Sequence, residues 1–275
     1  MSTEWRVERV EVVDSTNRVA SERVMEAWGR GERAEGIAVV AARQTGGKGQ
    51  HGRVWESPVG GLYLSAVVER VAVEVRDKLA LVAGVAAVEA VGVPPSGGAG
   101  AEFAHQSRLK AELQPQLQAM LRWPNDLMLG GKKVAGILCE SIVQGDRWAG
   151  IVGIGVNVNT RVEELPAELR GKASSLAEAD GAEKDLRAME RALLEAISEV
   201  LAMLDRSGFG EVVRRAREMD ALRGQRVEFQ DGERFVSGVA AGIGDLGEML
   251  IRTDKGIEAF VTGSVIAVGG ERLRG

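Results

Sequence analysis

From Arg6 to Val13 valines alternate with charged residues, the period-two pattern of a strand with one buried face. Asp14, Ser15 and Thr16 follow, and their short side chains offer capping oxygens to a helix predicted to run to about Trp28. Gly36 to Ala42 and Leu62 to Val68 predict two more apolar strands, separated by the glycine-rich Gly46 to Gly52 and a turn at Pro58 to Gly61. Arg76 to Val93 predicts an apolar helix. The stretch after it, Pro94 to Gln118, has turn residues and then polar residues without a stripe, the pattern of a surface excursion. Leu127 to Leu129 and Val134 to Leu138 flank Gly130-Gly131, a pair suited to the positive φ angles of a tight hairpin. Trp148 to Val158 predicts a further strand. Glu183 to Leu204 predicts a helix, with Leu186, Met189, Leu193, Ile197, Val200 and Leu204 on one face to cover a sheet. Beyond Asp220 the runs become short, alternating and punctuated by glycines, which predicts a small barrel. The expected division is therefore an α/β domain over 1–219 and a β appendage over 220–275.

Composition narrows the function. The chain has 275 residues, 45% of them apolar, enough for one good core and a small second one. Its formal net charge of -5 has the wrong sign for holding phosphate backbones, so duplex binding is not expected. With one cysteine and two histidines, neither a disulfide framework nor a histidine or thiolate metal cluster is expected, and a reducing cytoplasm fits. Charges crowd the first residues, unlike a signal peptide, and the longest apolar run, Leu79 to Val93, contains Glu89 and falls short of the roughly 20 residues that span a bilayer.

The loop Gly47-Lys48-Gly49-Gln50-His51-Gly52 formally satisfies G-x-G-x-x-G after a strand. In dinucleotide folds, however, that fingerprint opens a helix whose N-terminus faces the pyrophosphate, and Arg53, Val54, Trp55, Glu56, Ser57, Pro58 are no helix start. A phosphate loop needs Lys and Ser or Thr directly after its last glycine, and Arg53-Val54 stand there. What is left is a flexible loop whose Lys48, Arg53 and backbone N–H groups can wrap an anion, or a solvated hairpin loop.

Taken with its neighbours, Arg43-Gln44-Thr45-Gly46-Gly47-Lys48-Gly49-Gln50-His51-Gly52-Arg53-Val54-Trp55-Glu56-Ser57-Pro58 resembles the ligand loop of biotin protein ligases, Q-x-x-G-R-G-R-x-G-R-x-W-x-S-P. Three more segments agree in order: Ser15-Thr16-Asn17 with S-T-N, Arg122-Trp123-Pro124-Asn125-Asp126 and Lys133-Val134-Ala135-Gly136-Ile137-Leu138 with K-W-P-N-D and K-x-x-G-I-L, and Gly153 to Asn159 with G-x-G-x-N-x-N. The resemblance runs from about Arg6 to Leu204, and Leu222 onward resembles the family's C-terminal barrel. It implies an α/β (α+β) fold, a mixed central sheet flanked by helices as in relatives of class II aminoacyl-tRNA synthetases, followed by an SH3-like barrel. It also implies a two-step reaction: biotin and ATP form biotinyl-adenylate, and a lysine of a biotin carboxyl carrier protein then takes the biotin.

The resemblance assigns residues as well. Ser15, Thr16, Asn17 and Gln44 are expected at the biotin head, with Lys48, Gly49 and Gln50 closing over the adenylate. Arg53, Trp55, Asn125 and Asn157 are expected near the nucleotide. Lys133 matches the cation shared by the biotin carboxylate and the α-phosphate; alternation along the hairpin does not by itself separate it from Lys132. Asp126 either orients or deprotonates the incoming lysine, or caps its turn. Trp55 and Trp123 are expected to wall the ligand, with plain core the alternative for Trp123. Mg2+ is implied as the partner of ATP, though no ligand cluster for it is legible. Relatives often pair through the sheet edge, so a homodimer is a further expectation. Because the first strand begins almost at Met1, the DNA-binding domain of some relatives is not expected.

The chain also departs from the pattern. Gln50 replaces the loop's second arginine, Lys48 its first, and Arg122 the lysine of K-W-P-N-D. Gln50 offers no charged fork to a phosphate, which predicts looser adenylate retention. Pro95 to Gln118 is an insertion relative to the family. Two other readings stand beside the main one: a lipoate or octanoate ligase or transferase of related fold, and a non-catalytic biotin or nucleotide binding module.

Overall fold

A computed structural model describes residues 3–92 and 118–273. Seven strands form one mixed sheet in the order β1-β2-β3-β7-β6-β5-β4. They are β1 (Arg6–Val13), β2 (Ile37–Gln44), β3 (Leu62–Val68), β4 (Met120–Arg122), β5 (Asp126–Leu129), β6 (Lys132–Gln144) and β7 (Arg147–Val156). Only β1 and β2 run parallel, joined by α1 (Thr16–Gly29), whose crossover supplies the length that a parallel connection needs. Every residue of β3 is buried, as a continuous apolar run in a sheet covered on both faces should be.

The two faces are covered by different helices. On one, Val19, Ala20, Val24, Ala27 and Trp28 of α1 pack on Val39, Val67 and Ile151. On the other lie α2 (Leu79–Gly92) and, after the short α3 (Leu176–Asp180), α4 (Leu186–Ser207) and α5 (Phe209–Glu218). Among the described residues no helix is long and apolar enough to cross a membrane.

Most predicted elements stand within a few residues of their expected bounds, and the exceptions have local causes. The predicted helix from Arg76 begins as a 3-10 turn, Val73–Lys78, and becomes α-helical only at Leu79. The hairpin turns through Gly130 at φ 58° and Gly131 at φ 77° as expected, but β6 continues to Gln144. The three-residue β4 and the helix α5 were not legible; Gly208, at φ 76°, separates α5 from α4. The expected excursion falls largely on residues 93–117, which lie outside the described residues.

The predicted caps of α1 need correction. Ser15 stands at the N-cap position with no side-chain capping bond, and Asp14 Oδ1 accepts from the Ser15 N–H at 2.7 Å, one residue too early. The first helical N–H, that of Thr16, instead donates to Gln44 Oε1 at 2.8 Å. A side chain at the end of β2 therefore satisfies a donor that the helix cannot satisfy itself.

Where a small barrel is expected, the C-terminal strands form a six-stranded antiparallel sheet in the order β11-β10-β9-β8-β12-β13, with no hydrogen-bonded closure between its ends among the described residues. These are β8 (Arg226–Asp231), β9 (Arg234–Ile243), β10 (Met249–Thr253), β11 (Gly256–Phe260), β12 (Ser264–Val268) and β13 (Glu271–Arg272). Trp123 ties this sheet to the larger one: its indole Nε1 donates to Gly247 O at 2.9 Å and its ring lies 5.9 Å from that of Phe229.

Candidate active site

A cleft of about 250 Å3 opens over β6 and β7. Its floor is glycine, because side chains from elsewhere occupy the space a Cβ would take. A Cβ on Gly153 would lie 2.2 Å from Asn17 Oδ1, one on Gly155 2.5 Å from Trp55 Nε1, and one on Gly136 2.9 Å from Trp55 Cζ3 and 3.4 Å from Lys133 Cε. Gly155 pairs with Gly136 across the strands, and Gly153 and Gly155 face the same way about 7 Å apart. Along β7 the order is thus a polar cluster at Gly153, then an indole and a lysine at Gly155.

The polar cluster is buried. Thr16 is 4% exposed, Asn17 7% and Ser65 0%. Gln44 Oε1 takes the Thr16 N–H, and its Nε2 donates to Ser57 Oγ at 3.0 Å, which orients the amide. Ser15, also buried, lines the same wall. The members that line the cleft, Ser15, Thr16, Asn17 and Gln44, are neutral donors and acceptors, the chemistry of a hydrogen-bonding head group rather than of an anion; Glu140, which accepts from Asn17 Nδ2 at 2.6 Å, is not part of the wall.

The glycine loop folds back on itself. Gly49 N donates to Arg53 O at 2.8 Å and Trp55 N to Gly47 O at 2.9 Å, with a single 3-10 turn, Gln50–Gly52, at the tip. No α-helix starts there, as expected. The fold-back sets Lys48, Gly49, Gln50, Arg53 and Trp55 on the cleft wall. A Cβ on Gly47 would lie 2.4 Å from Trp55 O, so the loop closes only with glycine at that position.

Lys133 and Asp126 face each other from the two strands of the hairpin. Lys133 Nζ is 2.5 Å from Asp126 Oδ1 and 5.2 Å from the centre of the Trp55 ring, while Arg122 Nη2 is 2.6 Å from Asp126 Oδ2. Burial alone would raise the Asp126 pKa, but the adjacent Lys133 and Arg122 charges outweigh it and hold the carboxyl below its usual range. The carboxylate therefore stays ionised at neutral pH and is a weak base. Lys132 is exposed and is not part of the wall, so the structure separates the two lysines that alternation left together.

Asn125 and Asn157 also line the cleft, each with one amide N–H bonded to the fold: Asn125 Nδ2 donates to Ile137 O at 2.8 Å and Asn157 Nδ2 to Ser174 O at 3.1 Å. Trp123, 4% exposed, is both core and wall. All the residues singled out from the sequence meet in this one cleft. Among those it did not reveal are Leu165, Leu169 and Lys172 on the irregular segment before α3, and Ser264, Val265 and Glu271 from the C-terminal sheet. None of these sits in a motif; Lys172 enters because its carbonyl accepts the Lys133 N–H at 2.8 Å. Among the described residues no group of three or more His, Cys, Asp or Glu is placed to hold a metal ion.

A mixed sheet with a neutral hydrogen-bonding recess, a tryptophan and a cationic end under a glycine loop defines a site for a polar-headed acid and an anionic co-substrate. Comparison with known proteins agrees. Residues 10–157 match the biotin/lipoate A/B protein ligase family and residues 223–267 the biotin protein ligase C-terminal domain. The chain is 28% identical over 258 residues to the bifunctional ligase/repressor BirA of Bacillus subtilis, covering 93% of this chain and 72% of that protein. It is 28% identical over 255 residues to the biotin–[acetyl-CoA-carboxylase] ligase of Mycobacterium tuberculosis, covering 90% and 84%. The biotin protein ligase of Aquifex aeolicus in complex with biotin and ATP superposes with a TM-score of 0.72 at 30% identity, covering 94% of this chain and 97% of that one. The chain belongs to the biotin/lipoate A/B protein ligase family.

Proposed function

We propose that this chain is an ATP-dependent biotin protein ligase: the biotin carboxylate attacks the α-phosphate of ATP and expels pyrophosphate, and the Nζ of a carrier-protein lysine then attacks the acyl carbon and expels AMP. The observation that carries this reading is the order along β7, where a neutral recess at Thr16, Asn17 and Gln44 is followed about 7 Å on by Trp55 and Lys133. A ureido head with an apolar tail and a carboxylate fits that order. The likeness to the M. tuberculosis and A. aeolicus enzymes supports the same acid, ATP as co-substrate, and a biotin carboxyl carrier protein as acceptor.

Both steps gather negative charge at the carboxylate and α-phosphate. Lys133 supplies a positive charge there that counts for more in the transition state than in the ground state. Asp126, ionised and shared with Arg122, holds Lys133 Nζ in place, so its role in this reading is orientation rather than proton removal. Lys48, Gly49, Gln50 and Arg53 close over the adenylate, and Asn125 and Asn157 shape the nucleotide wall. Mg2+ belongs to the reading as the companion of ATP, held mainly by phosphate oxygens and water.

Catalysis is assigned to 1–219 and an appended role to 220–275, a division supported by the two family matches and by the change of sheet after α5. The net charge of -5 supports leaving duplex DNA out of the reading, and a single cysteine supports a cytoplasmic setting. Self-association through β1, an edge of the large sheet, completes it.

The test is to incubate the protein with biotin, MgATP and a carrier domain and to follow carrier mass, with lipoate in parallel and Lys133→Ala as control. An ATP-dependent biotin increment that collapses in the variant is expected. Lipoate transfer alone would move the chain to the lipoate branch of the family, and no transfer of either acid would make it a binding module.

A further inference from the structure

The cluster beneath Thr16 has a direction. Asn17 Nδ2 donates to Leu138 O at 3.2 Å and to Glu140 Oε2 at 2.6 Å. Turned over, the amide would press its oxygen against a carbonyl and a carboxylate, so Oδ1 faces Ser65. Ser65 Oγ lies 2.6 Å from that oxygen and 2.7 Å from Thr16 Oγ1. A hydroxyl carries one proton. Asn17 Oδ1 brings none, so the Ser65 proton goes to it, and the proton in the short Ser65–Thr16 contact comes from Thr16, whose hydroxyl has a second and longer acceptor in Gln44 Oε1 at 3.2 Å. Thr16 therefore donates inward and turns lone pairs toward the cleft it lines.

The geometry leaves little freedom to reverse this. Ser65 is 0% exposed in the fully buried β3, so water does not compete for its bonds. Gly153 leaves no room for a Cβ, which would lie 2.2 Å from Asn17 Oδ1, and the amide rests directly on β7.

We propose that Ser65 and Asn17 are positioning residues that fix Thr16 as a hydrogen-bond acceptor, so that the cleft selects acids whose head carries an N–H donor, a cyclic urea rather than a dithiolane or an alkyl chain. This rests on the functional reading above and deepens it. Ser65 acts through Thr16. An N–H facing those lone pairs gains a bond, whereas an oxygen or sulfur there leaves a buried acceptor unpaired and meets it with like charge, the arrangement that gives strong rejection of an isostere.

The experiment measures binding, by calorimetry, of biotin and of two cyclic carbamate analogues in which one or the other ring N–H is replaced by oxygen. It uses the native protein, Ser65→Ala and Ser65→Cys, each checked by thermal melting, with kcat and KM for biotin alongside. The native protein is expected to bind biotin, and one carbamate about tenfold more weakly or worse. In Ser65→Ala the Thr16 hydroxyl loses its 2.7 Å acceptor and keeps only the 3.2 Å contact to Gln44 Oε1, which already takes the Thr16 N–H, so it turns outward more readily. The KM for biotin should rise about tenfold, kcat should stay within about threefold, and the biotin-to-carbamate ratio should shrink to about twofold. Ser65→Cys, a weak donor, should fall between. A folded Ser65→Ala protein that keeps the native ratio overturns the proposal. So does a native protein that binds both carbamates as tightly as biotin, a result that requires no variant to fold. A native protein that binds no biotin fails the functional reading itself, which separates the two failures.

Discussion

Lys133 Nζ lies 2.5 Å from Asp126 Oδ1 across the β5–β6 hairpin, and the other oxygen of that carboxylate holds Arg122 at 2.6 Å. One anion thus positions two cations at the cleft, and the lysine side chain, 30% exposed against 14% for the arginine, is the more accessible to a ligand. Replacing Lys133 by alanine removes charge that stabilises the adenylation transition state. Biotin-dependent pyrophosphate exchange should fall about 10²–10³-fold, in line with the loss of a single preorganised donor. The melting temperature should also fall, by about 2–4 °C, because the largely buried Asp126 carboxylate keeps only Arg122 as a partner. Exchange within threefold of native would remove Lys133 from the chemistry.

Asp126 makes a prediction about pH. Its folded pKa is depressed: burial opposes ionisation, but Lys133 and Arg122 prevail. A depressed carboxyl contributes stability that is fully present above its unfolded value of about 3.9 and is lost as pH falls through the folded value. Asp126→Asn should therefore be less stable than the native protein at pH 7 by about 2 kcal/mol, under the 3–5 kcal/mol for a fully buried pair because Lys133 is partly solvated. Urea melts should show the gap closing as pH drops below the carboxylate range. For the same reason the activity profile should have no limb from this carboxyl between about pH 5 and 8. A stability gap unchanged at acid pH would mean that the carboxylate is not held ionised by these partners.

How far the cleft could be read from the chain depended on whether its residues carried a pattern. The hairpin of β5 and β6 was legible because Gly130-Gly131 interrupts apolar runs, and β3 because it is apolar at every position but Ser65. Lys133 could not be told from Lys132 by alternation, since a bulge between Leu127 and Met128 shifts the register where the choice matters. Ser65 was invisible as a site residue: in Leu62-Tyr63-Leu64-Ser65-Ala66-Val67-Val68 it looks like a polar residue tolerated in a strand, and its role depends on Asn17 arriving from α1. The capping role of Gln44 was missed for a similar reason, because the helix start it satisfies lies 28 positions away in sequence. Ser264 and Glu271 approach from another sheet, and no local rule brings them to the cleft.

Gly155 should be intolerant of even a methyl group. Its Cβ would lie 2.5 Å from Trp55 Nε1 and 2.7 Å from Cε2, and an indole ring cannot bend away as a flexible side chain can. Gly155→Ala should therefore displace the ring from the cleft wall, weakening biotin about tenfold or more with a stability loss of about 1–3 kcal/mol. Titration of biotin with a parallel melt checks both. Native affinity in a folded Gly155→Ala protein would show that the indole does not set the biotin wall.

Gln50 bears on what happens after adenylation. It lines the cleft on the folded-back loop, at a position where the family pattern has an arginine, and its amide offers neutral donors where a guanidinium would offer a charged fork. The loop's remaining cations are Lys48 and Arg53, so its hold on the adenylate's phosphate should be weaker by one charge-assisted contact. Gln50→Arg should slow adenylate release about tenfold, as expected for a gain of roughly 1.4 kcal/mol, while leaving biotin affinity close to native because the head recess is untouched. Stopped-flow chase of preformed adenylate measures this directly. Equal off-rates in the two proteins would mean that closure depends on the loop backbone, held by the Gly49–Arg53 and Gly47–Trp55 bonds, and not on the side chain at position 50.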